Sequence, residues 1–403
     1  MNRNRGCFPL DRQAQTEKTQ PIRVLHMAPL STGGITKLTV TLNALMDPEQ
    51  VRFDYLVFRD KTEFMEPQAL ALGGQKQVVN LEGISNPLIR LAKKMTGMVR
   101  LMRRQRYDVV HVDASTPYDV MVALAAKVAR APVIVLHAHN DSFHGGNFLR
   151  NLSMPLFRRM MPYLCTDFMA VSQSAAKFMF PPKVFSSGRY TVVKNGVLTQ
   201  QYEYSPRKRE EERFRLGLSP EHFVLGHIGR FVPQKNHGFL LEVFAALHQQ
   251  HPQSRLLLIG EGPLLPQIRQ QVAQKGLTQA VIFYGVTHDV SHVLCAMDAF
   301  VFPSRFEGLG IAAVEAQIAG LPVWCSQAIP PEARISHTFQ VIKGWDSGGW
   351  ACSIWNGRDA ARNLSGPQQG EQAGYDLRST AIQMQNFYRR RVEQGYARQD
   401  GLQ

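Results

Sequence analysis

The chain has 403 residues, a formal charge of +14 at neutral pH and a pI near 9.7. This length exceeds one ordinary core and predicts two domains, while 44% apolar and 19% charged residues exclude a disordered or fibrous chain. The positive charge predicts an anionic partner, for which nucleic acid, anionic lipid and a phosphorylated substrate are the candidates.

The start of the chain and the cysteines bear on where the protein works. Residues 1–20 have no apolar core, so we expect a disordered lead and not a secretory signal. The best apolar stretch, 120–136, is broken by Lys127 and Arg130 and falls short of the roughly 18 residues that span a bilayer. The 5 cysteines are scattered, which suits a reducing compartment and argues against a zinc cluster. We therefore expect a cytoplasmic protein.

Strands and helices alternate through the first half of the chain. Buried strands are predicted at 22–27, 53–58, 109–112 and 133–136. Gly33 and Gly34 follow the first strand, where glycine lets the backbone approach a ligand closely. This is not the full dinucleotide fingerprint, so no nicotinamide cofactor is predicted. The glycine pair either lines a ligand cleft or only makes the turn.

Two histidines, His137 and His139, come directly after the strand at 133–136. The carboxyl end of a parallel strand opens on the cleft, and imidazole can donate to a sugar hydroxyl or stabilise a phosphate. Alternating histidines can also bind a metal, but no third ligand is evident in the sequence. Which of the two contacts a ligand stays open.

Two segments combine apolar side chains with basic ones. In 87–106 the apolar residues at helical spacing are Leu88, Leu91, Met95, Met98 and Met102. In 148–163, Arg150, Arg158 and Arg159 lie among Phe, Leu and Met residues. Each segment is either a core-facing helix with a solvated basic face or a helix on an anionic membrane, where each basic residue adds roughly 1 kcal/mol. Because there are two such segments, we expect membrane association.

A polar, charged stretch at 198–220 predicts a linker, after which a strand at 223–228 begins a second domain. Arg230 and Lys235 lie in the loop that follows this strand. Both side chains are expected to face the cleft, where a guanidinium and an ammonium group would hold a diphosphate. The alternative is two exposed surface bases.

The most informative stretch is 301–323, which predicts a strand, the turn Glu307-Gly308-Leu309-Gly310 and a helix that carries Glu315. The backbone N–H groups of such a helix face an incoming anion. At about 1.5 Å per helical residue the two carboxylates stand about 10 Å apart, the size of a diphosphate that joins two sugars. The alternative is a helix with two solvated glutamates.

Four motifs occur in a fixed order: GRFVPQKNH at 229–237, LIGEGPL at 258–264, FYGVTHDVSHVLCAMDAFVFPS at 283–304, and the paired glutamates. Together they resemble the retaining nucleotide-sugar glycosyltransferases of family four (group 1), which have the GT-B fold and include bacterial capsule, exopolysaccharide and lipopolysaccharide enzymes. The resemblance covers about 22–388. It implies the α/β fold class, with two Rossmann-like doubly wound domains facing each other across a cleft.

The resemblance also implies a domain division and a set of donor contacts. The division is an acceptor domain at 21–197, the linker 198–220, a nucleotide-sugar domain at 221–370 and a helix at 371–395 that crosses back to the first domain. Glu307 would hold the hydroxyls of the donor sugar with His137 or His139, and Glu315 would hold the ribose. The other donor contacts would be Gly33, Gly34, Arg230, Lys235, Gly308, Leu309 and Gly310.

The expected partners are a UDP- or GDP-sugar donor, a lipid-linked saccharide acceptor and the inner face of the plasma membrane, where the protein would be peripheral. The chain contains no Asp-x-Asp pair for a divalent metal, so metal-independent transfer without a cofactor is predicted. A sugar-nucleotide epimerase and a phosphorylase-like enzyme are alternatives on the same fold. A basic nucleic-acid-binding protein is a third, although no nucleic-acid module is recognised and no such partner is expected.

Overall fold

A computed structural model describes residues 20–27, 30–31, 34–140, 148–287 and 289–400, with the backbone alone for 148–152 and 396–400. Two parallel sheets, of 7 and 6 strands, organise this part of the chain, with helices between successive strands. The predicted α/β class with two doubly wound domains is confirmed. Residues 1–19 of the expected lead lie outside the described residues.

The first sheet belongs to the first half of the chain. Its strands are β1 (Ile22–Met27), β2 (Val51–Val57), β3 (Lys76–Val78), β4 (Val109–Ala114), β5 (Val133–Ala138), β6 (Asp167–Ala170) and β7 (Thr191–Val192). The order across the sheet is β3-β2-β1-β4-β5-β6-β7, and the pairs are parallel. The direction of winding therefore reverses between β1 and β4, which is where open α/β sheets bind ligands.

The second sheet repeats this arrangement. Its strands are β8 (Phe223–Ile228), β9 (Ser254–Ile259), β10 (Val281–Gly285), β11 (Ala299–Phe302), β12 (Val323–Ser326) and β13 (Phe339–Ile342). The order is β10-β9-β8-β11-β12-β13, again with parallel pairs. Winding reverses between β8 and β11, so the loops that carry Lys235 and Glu307 flank this second switch point.

Helices cover the sheets. Those of the first half are α1 (Gly34–Leu45), α2 (Glu66–Ala71), α3 (Pro87–Gln105), α4 (Val120–Val128), α5 (Phe148–Leu164), α6 (Gln173–Met179) and α7 (Pro182–Phe185). Those of the second half are α8 (Pro206–Arg215), α9 (His237–Gln250), α10 (Leu265–Gln274), α11 (Val290–Ala296), α12 (Ile311–Ile318), α13 (Ser347–Asn356), α14 (Gly366–Gln372) and α15 (Leu377–Asp400). No helix of the described residues is both long and apolar enough to cross a bilayer.

Helix α3 differs from a simple core-facing helix. Met98 and Met102 are buried in the first core, as their spacing predicts. Leu88 and Leu91, on the first turns of the same helix, are exposed instead. The apolar stripe is therefore divided, and only its second half serves the core.

The central strands of the first sheet are buried on both faces, so alternate residues enter two different cores. Val110 and Val112 of β4 pack with one helical layer, and Val109 packs with the other. His111 and Asp113 share the face of Val109, because side chains alternate along a strand. Polar groups are thus placed inside a layer that is otherwise apolar.

The last helix, α15, packs on the first sheet although it follows the second domain in sequence. Met384 and Tyr388 lie in the same core as Val24 and Val109. Where the chain returns, the backbone N–H of Val197 donates to the carbonyl of Tyr375 at 2.8 Å. The chain therefore passes between the domains twice, and the two passages are hydrogen-bonded to each other.

Candidate active site in the interdomain cleft

A cavity of about 380 Å³ lies between the two domains, at the carboxyl ends of both sheets. Its lining includes seven residues expected from the sequence: Gly34, His139, Glu307, Gly308, Leu309, Gly310 and Glu315. His137, Arg230 and Lys235 are not among the described lining residues, and Gly33 lies outside the described part of the chain. The structure thus gathers most of the predicted donor contacts around one space.

The glycine turn after β11 brings the second domain against the first. Gly310 caps the start of helix α12 with a φ of 81°, a left-handed conformation that glycine adopts without strain. Gly308 packs so closely on the first domain that an added Cβ would lie 2.7 Å from the carbonyl oxygen of His139. The hydroxyl of Ser172 donates to the Gly308 carbonyl at 3.0 Å. The turn therefore joins the two walls of the cavity.

Replacing Gly308 with alanine is expected to lower the stability of the protein by about 1–3 kcal/mol, because the added methyl group forces this contact apart. The Gly238→Ala variant is the matched control. Gly238 lies in α9, and the nearest atom to its added Cβ, on Gln271, is 3.9 Å away. Thermal unfolding of both variants checks the prediction, and equal midpoints would contradict it.

Glu307 is buried, with 7% of its surface exposed, and forms an ion pair with Lys235 across 2.5 Å. The Lys235 ammonium also lies 4.6 Å from the ring centroid of Phe302. These contacts exclude the alternative of a solvated glutamate. Arg230, by contrast, is exposed just after β8 and is not among the described lining residues.

Glu315 is also buried, with 8% exposed, and accepts a hydrogen bond of 2.6 Å from the Tyr202 hydroxyl. Burial raises the pKa of Glu315, while nearby Lys37 and the Tyr202 hydrogen bond act in the opposite direction. Tyr202 comes from a short 3₁₀ turn, Thr199–Tyr202, inside the stretch predicted as a linker. Nothing in that polar stretch marks this tyrosine as a partner of a carboxylate.

The two candidate histidines have different surroundings. His139 lines the cavity, and its Nε2 lies 3.0 Å from Asp113 Oδ1. His137 is buried behind the wall, with its Nδ1 3.2 Å from His111 Nε2. Asp113 also contacts His26 at 2.9 Å. Sequence reasoning missed His26, His111 and Asp113, although a polar residue inside a buried strand was a usable signal.

These buried groups form two sets that could hold a metal ion by residue type. His26, His111 and Asp113 form one set and Asp113, His137 and His139 the other, each with ligand-type atoms within 4.8 Å. The third ligand that the sequence did not reveal is thus present. The contacts of 2.9, 3.0 and 3.2 Å are ordinary hydrogen-bond lengths, while His137 Nε2 and His139 Nδ1 are buried without a partner.

Burial makes two imidazoles of this cluster, those of His111 and His137, hard to protonate. It lowers the pKa of His111 to about 3 and that of His137 well below its usual value, with neighbouring histidines adding to the effect. Burial alone would raise the pKa of Asp113, but His26 and His111 hold it well below its usual range. The Asp113 carboxylate is therefore ionised among these rings.

Two protein-family models match the chain. The model described as glycosyl transferases group 1 matches 208–344, which includes Glu307 and Glu315. The model described as Glycosyltransferase Family 4 matches 32–201, which includes His139. The two matched segments thus form opposite walls of the cavity.

Individual proteins give the same result. Putative glycosyltransferase EpsF of Bacillus subtilis (strain 168) is 30% identical over 387 residues, 93% of this chain and 98% of that protein. The UDP-Gal:alpha-D-GlcNAc-diphosphoundecaprenol alpha-1,3-galactosyltransferase of Escherichia coli is 26% identical over 58% of this chain and 62% of that protein. The crystal structure of Anabaena HepE with UDP and glucose shares the fold, with a TM-score of 0.68 at 21% identity over 95% of this chain and 100% of that one. The chain therefore belongs to the group 1 glycosyltransferases with the GT-B fold.

Proposed function

We propose that this enzyme transfers a hexose from a nucleoside-diphosphate sugar to a lipid-linked saccharide, with retention of anomeric configuration, during bacterial surface polysaccharide biosynthesis. One observation carries the proposal. Glu307 and Glu315 are both buried and line one cavity at the switch points of two facing sheets. Each carboxylate already has one partner, Lys235 for Glu307 and Tyr202 for Glu315, and its remaining lone pairs can accept from the hydroxyls of a sugar and of a ribose.

The donor would lie along the start of helix α12. Glu307 accepts hydrogen bonds from hydroxyls of the hexose, and Glu315 accepts them from the ribose. The diphosphate between them meets the N–H groups of the first turn of α12. Lys235 and the exposed Arg230 supply positive charge from the facing loop.

Transfer breaks the bond between the anomeric carbon and the diphosphate oxygen and forms a bond from that carbon to an acceptor hydroxyl on the same face. The acceptor's proton passes to the departing phosphate, so protons balance without a protein base. Charge that develops on the diphosphate is stabilised by Lys235, Arg230 and the backbone of α12. No metal ion or cofactor is part of this proposal.

The acceptor and the pathway are proposed by analogy with the relatives. The Escherichia coli relative is named for an acceptor joined to diphosphoundecaprenol, and another relative, from Salmonella typhi, is named as a Vi polysaccharide biosynthesis protein. The first name supports a lipid-linked saccharide acceptor, and the second supports a role in polysaccharide biosynthesis.

Two surface features of the first domain support contact with the cytoplasmic face of a membrane. On α3, Leu88 and Ile89 are 77% and 59% exposed beside a groove of about 320 Å³ lined by Lys93, Arg100 and Arg104. On α5, Leu156 and Tyr163 are exposed in the segment that carries Arg159. Exposed apolar side chains next to basic ones are the pattern of helices that lie on anionic membranes.

The Leu88→Ser/Ile89→Ser variant is expected to bind anionic vesicles at least tenfold more weakly than the wild type. Burying each of these apolar side chains in the membrane would contribute about 1.5–3 kcal/mol to the free energy of binding. Co-sedimentation with vesicles that contain phosphatidylglycerol measures this. The control is Phe214→Ser, which removes an 88% exposed ring from the second domain. Equal binding by all three proteins, or none by the wild type, would rule out this surface.

The proposed donor site is tested by a thermal-shift screen of UDP, GDP, ADP and their common sugars, with and without a chelator, on the wild type and on Glu315→Ala. A ligand that binds only the native state raises the unfolding midpoint. We expect one nucleotide to stabilise the wild type by several degrees, to leave the Glu315→Ala variant unshifted and to be unaffected by the chelator.

Product analysis separates the alternatives. A transferase releases free nucleoside diphosphate only when an acceptor is present, whereas an epimerase changes the sugar without releasing nucleotide. If no nucleotide shifts the wild type while DNA binds with a steep dependence on salt, the proposal fails in favour of nucleic-acid binding.

A further inference from the structure

We infer that the buried cluster behind the cavity is a structural metal site, in which Asp113, His111 and His137 bind one divalent transition-metal ion, with zinc the first candidate. The inference goes beyond the proposed transfer, whose chemistry uses no metal. It assigns a role to polar side chains that lie inside an apolar layer, behind the described lining of the cavity.

Two neighbouring strands supply the ligands. His111 and Asp113 lie two positions apart on β4, so their side chains point to the same face of the sheet. His137 lies on β5, directly opposite Asp113 in the parallel register. All three residues are buried, with at most 6% of their surface exposed. The ligand atoms are therefore held by the rigid centre of the sheet and not by a loop of the cleft.

Three interatomic distances fit an ion at the centre of this group. His111 Nε2 lies 3.2 Å from His137 Nδ1, and Asp113 Oδ1 lies 3.6 Å from the first atom and 4.0 Å from the second. The two distances from Asp113 Oδ1 are too long for hydrogen bonds. A point at equal distance from the three atoms is about 2.1 Å from each, which is the length of a zinc–nitrogen or zinc–oxygen bond.

Two of the three ligands also have the outer partners that metal ligands usually have. Nδ1 of His111 lies 2.9 Å from the Tyr388 hydroxyl, so Nε2 is the nitrogen turned to the ion. Oδ2 of Asp113 lies 2.9 Å from His26 Nδ1, so Oδ1 is the oxygen turned to the ion. These outer contacts hold the imidazole and the carboxylate in the orientation that binding requires.

His139 lies between the proposed site and the cavity. Its Nε2 is 3.0 Å from Asp113 Oδ1, and the ligand-type atoms of His139, Asp113 and His137 lie within 4.8 Å of one another. His139 is therefore the nearest fourth ligand. The same ring lines the cavity, so a single side chain separates an ion in the cleft from the site.

The kind of ligand selects the kind of ion. Imidazole suits zinc, iron, nickel and copper, whereas magnesium and calcium prefer oxygen ligands. A closed site with its ligands buried is the structural type of zinc site. Because this one joins β4 to β5 and reaches α15 through Tyr388, we expect the ion to stabilise the first domain.

The wild-type protein is tested first, at full length and without an affinity tag, after expression in a medium that contains zinc. Mass spectrometry of the elements should find one equivalent of zinc per chain. X-ray absorption at the zinc edge should show nitrogen and oxygen neighbours at about 2.0–2.1 Å and no sulfur. Removing the ion with a strong chelator should lower the midpoint of thermal unfolding by several degrees, and zinc, but not magnesium, should restore it.

Three variants test which residues bind the ion, and circular dichroism checks that each is folded. His137→Asn removes a ligand and should lose the bound zinc. His26→Asn removes only the outer contact to Asp113 and should weaken zinc binding about tenfold to a hundredfold. The matched control is Asp54→Asn, which changes another buried carboxylate of the same sheet, bonded to Tyr107 at 2.7 Å. This control should keep its zinc.

Wild-type protein that contains no transition metal and is not stabilised by added zinc would overturn the inference, since hydrogen bonds would then account for the cluster. Equal zinc in His137→Asn and Asp54→Asn, or sulfur in the X-ray spectrum, would also overturn it, because the ion would bind elsewhere. If His137→Asn does not fold, the wild-type spectrum and the zinc titration decide.

The outcome is independent of the proposed transferase activity. The chelator should lower the unfolding midpoint equally with and without nucleotide, so the shift that the nucleotide causes stays the same. Protein that holds zinc but releases no nucleotide from any sugar donor would contradict the proposed function alone. Protein that transfers sugar but holds no metal would contradict the metal site alone.

Discussion

The Glu307→Gln variant is expected to transfer sugar with a kcat/KM about a hundredfold to a thousandfold lower than the wild type, the usual cost of removing one preorganised polar contact from a reacting group. Glutamine keeps the size of the side chain but not the negative charge that accepts from sugar hydroxyls and pairs with Lys235. Acceptor-dependent release of nucleoside diphosphate measures the effect.

The control for this variant is Glu242→Gln, which neutralises an exposed glutamate on α9 of the same domain. Its kcat/KM should match that of the wild type. If Glu307→Gln loses less than tenfold, Glu307 does not hold the reacting sugar, and the assignment of the cavity as the donor site must be revised.

The Lys235→Met variant is expected to lose about 3 kcal/mol of stability, because it leaves the buried Glu307 carboxylate without its partner. For a domain of this size the midpoint of thermal unfolding should fall by about 6–12 °C. Differential scanning calorimetry in the absence of nucleotide measures the change.

Adding Glu307→Gln to Lys235→Met should restore most of this loss, since no unpaired charge then remains. Activity should not return, because the donor has lost both contacts. If the double variant is as unstable as Lys235→Met alone, the ion pair is not the cause of the loss, and Lys235 stabilises the fold through its contact with Phe302.

The part of the site that carries the two glutamates was predictable because its residues lie close together in the sequence. The strand, glycine turn and helix that carry Glu307 and Glu315 lie within about twenty residues, and their apolar spacing and glycines indicate each element. The alternation of strands with helices indicated an α/β domain in the first half of the chain, and the resemblance to the group 1 glycosyltransferases implied the same class for the second half. Domain boundaries remain predictions.

The rest of the site depends on contacts between distant parts of the chain. Tyr202 reaches Glu315 across 113 positions, and Tyr388 reaches His111 across 277. No local sequence pattern marks these pairs, because the two members of each lie far apart in the chain. The polar cluster was partly visible, since His111 and Asp113 interrupt a buried strand at alternate positions, but the facing histidines come from two other strands.

The return of α15 to the first sheet bears on how the protein is made. Leu377, Met384, Tyr388 and Val392 complete the core around Val24, so this domain is discontinuous in sequence. During synthesis the first two hundred residues emerge without the helix that covers one face of their sheet, and the second domain, which is nearly continuous, can fold before the first is finished. A nascent chain that stops short of α15 would expose this apolar face, together with the buried histidines beneath it, to chaperones and proteases.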